Sequence, residues 1–113
     1  MSDAYDFFRE GQKRLRSGLT AQATVPLEKA KRAEPTSRSI REALGIAYFR
    51  IGRWKEAEAE FRALVELAPA DEFAHYALGR ALVNQGRREE ATPHIKLGRA
   101  LRPRTPADAD ALE

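Results

Sequence analysis

The 113-residue chain has no cysteine, which excludes a disulfide framework and thiolate chemistry. Nor does it have an uninterrupted run of about 18 apolar residues, the minimum for a helix to cross a bilayer. Its start, MSDAYDFFRE, is acidic and polar rather than basic and then apolar, so no secretory leader is expected. The cytoplasm is the expected compartment, and no membrane partner is expected. Only two histidines occur, His75 and His94, and neither has cysteines or carboxylates at metal-ligand spacing. No GxGxxG fingerprint or phosphate loop is present. The net charge of +3 is mild for a chain with 33% charged residues. The basic clusters RLR, KAKR and GRR fall on several helix faces rather than in one stripe, so nucleic acid is disfavoured as a partner. Carboxylates are plentiful in EAEAE (56–60) and at Glu89 and Glu90, where they read as solvated helix faces. No enzyme, no metal and no cofactor are expected.

What is present is helix-forming sequence with glycines in awkward places. The stretch EALGIAYFRIGRWKEAEAEFRALVELAP (42–69) favours helix almost throughout, yet it contains Gly45 and Gly52. An interior glycine costs a helix roughly 1 kcal/mol relative to alanine. The spacing resolves the puzzle. Gly11, Gly45 and Gly79 lie 34 residues apart, as do Gly18, Gly52 and Gly86, then Ala23, Ala57 and Ala91, then Pro35, Pro69 and Pro103. Four residue types holding one lag point to stacked supersecondary units.

Each unit reads as two helices. In the middle copy Ile40, Leu44, Ala47, Tyr48 and Ile51 make one helical face, which Gly52 ends in a C-cap role. Trp54, Ala57, Phe61, Leu64, Val65 and Leu67 make the stripe of the second helix, which Pro69 stops. Asp71 offers a cap to the next helix, as Thr36 and Ser37 do one unit earlier. Gly45 faces the partner helix, where the absent side chain lets two helix axes approach, with Ala57 expected opposite. Pro26 and Pro93 interrupt the second helices of the outer copies, so bent or late-starting helices are expected there.

The residues Leu44, Gly45, Tyr48, Ala57, Phe61 and Pro69 resemble the tetratricopeptide (TPR) pattern W-x2-L-G-x2-Y…A-x3-F…P, with Arg41 in place of the tryptophan. The third copy reads His75, Leu78, Gly79, Leu82, Ala91, Ile95 and Pro103. The first reads Phe7, Glu10, Gly11, Arg14, Ala23, Leu27 and Pro35. His75 therefore takes a packing position. The resemblance covers three tandem repeats, 4–37, 38–71 and 72–105, in one domain spanning 1–113. It implies an all-α solenoid: a right-handed superhelix of antiparallel helix pairs.

The resemblance also implies a binding groove lined by the first helix of each pair. The matching positions are Tyr5, Phe8, Gln12 and Arg16 in the first copy, Glu42, Ile46, Phe49 and Arg50 in the second, and Phe73, Tyr76, Arg80 and Asn84 in the third, with Leu15, Ser39 and Val83 beside them. Aromatic and arginine residues on a concave face suit protein recognition. The expected function is a non-enzymatic interaction module, scaffold or adaptor, holding an apolar peptide or helical segment that carries some negative charge. Members that clamp a chaperone's terminal carboxylate use lysine and asparagine where this chain has Phe8, Gln12, Ala43, Phe73 and Ala77, so no such clamp is expected. The alternatives are self-association, a piece of a larger TPR protein and, behind both, RNA binding. The stretch 106–113, with Thr105 as cap and Pro106 at the first helical position, is expected to start a helix. It is too short to cover the last pair, which leaves Ile95, Leu97 and Leu101 as a candidate homodimer edge.

Overall fold

A computed structural model of the chain describes residues 3–102. It contains six helices: α1 (Ala4–Arg16), α2 (Thr20–Ala33), α3 (Arg38–Arg50), α4 (Trp54–Leu67), α5 (Glu72–Val83) and α6 (Arg88–Leu101). They pack as three hairpins, α1 with α2, α3 with α4 and α5 with α6, and each hairpin stacks on the next through α2–α3 and α4–α5. Among the described residues there is no strand. Pro103 and the expected C-terminal helix lie outside the described residues.

Local chemistry repeats with the period. Asp3, Ser37 and Asp71 cap α1, α3 and α5, each side chain accepting a backbone N–H, from Asp6 at 3.0 Å, Ile40 at 3.3 Å and Phe73 at 2.9 Å. Ser37 does this work and Thr36 does not. At the other end of α3, Gly52 sits at φ 79°, a left-handed conformation that is inexpensive only without a Cβ. That turn lets the Arg53 N–H return to the Tyr48 carbonyl at 2.9 Å and close the helix end.

The core runs through all three hairpins, with Leu27, Leu44, Phe61, Leu64, Leu78 and Leu82 fully buried. Gly45 is where two helices come close, and the side chain nearest the missing Cβ is Phe61. A Cβ on Gly45 would lie 2.5 Å from the Phe61 ring. The same contact joins Gly11 to Leu27 and Gly79 to Ile95. Ala57 is buried one helical turn before Phe61. Ile95 thus packs onto α5 and is partly buried. Leu101 is half-buried, and Leu97, at 43% exposure, is the residue of the three that faces solvent. Trp54 also departs from its expected stripe: it begins α4 and is exposed.

Two of the three carboxylates of EAEAE, Glu58 and Glu60, are not on a solvated face. Glu60 is 3% exposed and takes Lys31 Nζ at 3.1 Å and Arg41 Nη1 at 2.9 Å. Glu58 takes Arg62 Nε at 2.8 Å, Arg87 Nη1 at 2.7 Å and Gln85 Nε2 at 2.9 Å. Burial pushes the Glu58 carboxyl up, but the hydrogen bonds from Gln85, Arg62 and Arg87 outweigh it and hold the group below its ordinary value. Each glutamate ties the middle repeat to a neighbour: Glu60 to Lys31 of the first, Glu58 to Gln85 and Arg87 of the third.

Neither proline delays its helix. α2 and α6 begin at Thr20 and Arg88, in step with Trp54 of α4. Pro26 cannot donate to the carbonyl of Gln22, four residues earlier. Arg14 Nη1 of α1 donates to that oxygen instead, at 3.0 Å. The threonine before each proline donates backward, Thr24 to the Ala21 carbonyl at 2.7 Å and Thr92 to that of Arg88 at 2.9 Å.

Candidate functional site

Because each hairpin is antiparallel, the first helices α1, α3 and α5 run in the same direction, side by side, on one face. Two hollows open between them. The hollow between α3 and α5 is about 360 Å³, lined by Ile46, Phe49, Arg50, Phe73, Tyr76, Ala77 and Arg80, with Phe61 of α4 reaching in. The hollow between α1 and α3 is about 380 Å³, lined by Phe8, Gln12, Leu15, Ser39, Glu42, Ala43, Ile46 and Arg50. Ile46 and Arg50 line both, so the two hollows adjoin at α3.

Of the expected groove residues, Phe8, Gln12, Glu42, Ile46, Phe49, Arg50, Phe73, Tyr76 and Arg80 come together here. Three do not. Tyr5 is exposed, with the Arg9 guanidinium 5.6 Å from its ring centre. Arg16 stands in a charged recess of α1 with Asp6, Arg9, Glu10 and Lys13. Asn84 is the C-cap of α5. Phe61 is the lining residue that periodicity alone assigns wholly to the core. Its ring meets Phe73 edge-on with centroids 6.0 Å apart, so it both fills the space Gly45 leaves and backs the hollow.

The electrostatics of the site are uneven. Arg50 and Arg80 are exposed, and among the described residues neither meets a carboxylate, whereas Arg14, Arg41, Arg53, Arg62 and Arg87 all do. Glu42 is half-buried and likewise has no cationic partner among them. Burial pushes its carboxyl above the ordinary value, and Asp71 nearby adds to this. The walls between these charges are aromatic and aliphatic.

The histidines lie away from this face. His75 is buried and its Nε2 is 2.7 Å from the Pro69 carbonyl oxygen. Its ring stacks on His94, with centroids 6.2 Å apart and planes 16° from parallel. Among the described residues no three His, Cys, Asp or Glu side chains are grouped to hold a metal, and no helix is long and apolar enough to cross a membrane.

Solved structures share the fold. MamA MSR-1 superposes with a TM-score of 0.82 at 27% identity over 88% of this chain and 57% of that one. MamA AMB-1 gives 0.83 at 28% over 88% and 59%. This chain therefore spans less than two thirds of the length of either MamA chain. The first TPR of Spaghetti (RPAP3), solved bound to the HSP90 peptide SRMEEVD, gives 0.83 at 23% over 97% of this chain and 87% of that one. No curated protein matches the chain. The three hairpins are TPR repeats, and the family model described as "Bacterial transcriptional activator domain" matches residues 17–101. The chain, a solenoid of TPR hairpins, belongs to the bacterial transcriptional activator domain family.

Proposed function

We propose that the face built by α1, α3 and α5 binds a segment of another protein and carries out no reaction on it. The observation behind this reading is the hollow between α3 and α5, where Phe49, Phe73 and Tyr76 wall a space rimmed by two arginines that meet no carboxylate among the described residues. Exposed apolar side chains gathered in a concavity favour a ligand, and aromatic residues and arginine dominate binding energy at protein interfaces. The segment that fits is apolar and carries negative charge towards Arg50 and Arg80. The same fold in the Spaghetti (RPAP3) TPR holds a peptide. Here Phe8, Gln12, Ala43, Phe73 and Ala77 supply neither the lysines nor the asparagines of a carboxylate clamp, so a different segment is recognised. The setting proposed for that contact is transcriptional activation, the process that the family's description names.

The test compares the wild-type chain with Phe49→Ala/Arg50→Ala and with Tyr76→Ala, each checked for unchanged helical content by circular dichroism. A partner captured from a bacterial lysate by the wild type should be lost by the variants, with truncation of each anchor costing about 2 kcal/mol. Equal capture by all three would refute the groove. Self-association through α6 is the second reading, resting on exposed Leu97. Sedimentation that shows monomers at high micromolar concentration would remove it.

A further inference from the structure

The groove has two margins of opposite sign. With α1, α3 and α5 running in one direction, their starts form one margin and their ends the other. Glu42 stands at the first margin, with Asp71 at the start of α5 close enough to influence its carboxyl. Arg50 and Arg80, in the last turns of α3 and α5, form the second. Cations at helix ends suit the helix dipole, but that effect is weak, and among the described residues neither guanidinium meets a carboxylate. Glu42 and Arg50 are eight residues apart on one helix, which places them about 12 Å apart along its axis. Between them lies the apolar floor of Ile46, Phe49, Phe73 and Tyr76. A helix with its side chains is about 10–12 Å across. The margins are therefore spaced to flank a helix lying in the groove, crossing the three helices that form it.

We infer that the partner segment is an amphipathic helix with segregated flanks: an apolar stripe on the floor, acidic residues along the side facing Arg50 and Arg80, and basic residues along the side facing Glu42. This inference rests on the groove reading and specifies its ligand. It also fixes the direction of the bound helix, because turning the helix end for end would set acid against Glu42 and base against the arginines. An extended strand cannot present two opposite charges across a 12 Å width while keeping a continuous apolar contact, because its side chains alternate between faces.

The experiment uses two synthetic helical peptides of identical composition, each with one leucine stripe. One carries glutamates on one flank and lysines on the other; the second mixes both along each flank. Binding to the whole chain is read by fluorescence anisotropy at low salt, where rim charges are least screened. The segregated peptide should bind about tenfold tighter than the mixed one. That preference should vanish in Glu42→Gln/Arg80→Gln, two solvent-reaching substitutions whose fold is checked by circular dichroism. If the wild type binds both peptides equally and Tyr76→Ala weakens both, the charge-segregated helix is wrong and the groove reading stands. A preference that survives in the double variant also overturns the assignment to these residues. If neither peptide binds, or Tyr76→Ala changes nothing, the groove reading falls and this inference falls with it.

Discussion

Arg41 and His75, 34 residues apart, make the same contact in successive repeats. Arg41 Nε donates to the Pro35 carbonyl at 3.0 Å, and His75 Nε2 donates to the Pro69 carbonyl at 2.7 Å. Both fasten the first helix of a hairpin to the turn before it, through a carbonyl the preceding helix cannot use. The equivalence extends to their neighbours. Arg41 also meets Glu60, and the residue at that place one repeat later is His94, stacked on His75. An ion pair in the middle hairpin thus becomes a pair of rings in the last.

Partial burial of His94 should make the last hairpin sensitive to pH. Burial, then Arg62 and His75, push the His94 pKa below its ordinary value of 6.5, and Glu90 opposes this. A histidine whose pKa is lowered in the folded chain binds protons more readily when unfolded. Its contribution is therefore present above about 6.5 and lost as pH falls through that value towards the lowered one. The melting temperature should drop by a few degrees between about pH 7.5 and pH 5.5, and His94→Gln should flatten that slope. An unchanged slope in the variant would show that other groups cause it.

Gly45 carries a steric requirement that helix propensity conceals. Gly45→Ala gains roughly 1 kcal/mol of propensity, but its Cβ must displace a ring buried in the core. Overpacking of this kind costs about 1–3 kcal/mol. The net effect on urea unfolding should be a loss for alanine and a larger loss for leucine. A more stable alanine variant would mean that the Phe61 ring moves aside freely.

Glu60 joins two repeats, so its removal should weaken their stacking rather than a single helix. Glu60→Ala leaves Arg41 without a carboxylate among the described residues and Lys31 with Glu28 alone. Both cations are partly exposed and can recover some hydration, so the expected cost is about 1–3 kcal/mol, below that of breaking a fully buried pair. Because the two repeats then couple less tightly, the unfolding transition should also broaden. Hydrogen exchange should show the α2–α3 contact opening first. Unaltered stability would make the buried pair incidental.

The amino-acid order by itself determined the period, the helix pairs, the cap at Asp71, the Thr36–Ser37 cap site and the turn at Gly52, whereas the Asp3 cap and the choice of Ser37 over Thr36 came from the structure. Each of the former depends on residues within one helical turn of each other or on a strict lag, and both can be read in one dimension. Most residues lining the two hollows were legible for the same reason, since a periodic fold carries one face along with its period. Tertiary structure decided what depends on how helices meet. The Phe61 ring lies nearest the missing Cβ of Gly45, because the contact is set by where a ring reaches and not by residue size alone. Glu58 and Glu60 read as surface charges until pairing within the middle hairpin brings Arg41, and stacking on its neighbours brings Lys31 and Arg87, to them. Pro26 reads as a helix breaker until Arg14, from the neighbouring helix, takes the carbonyl that the proline leaves unpaired. Tyr5, Arg16 and Asn84 share the groove register in sequence, yet the packing of α1 and the end of α5 leave them outside both hollows.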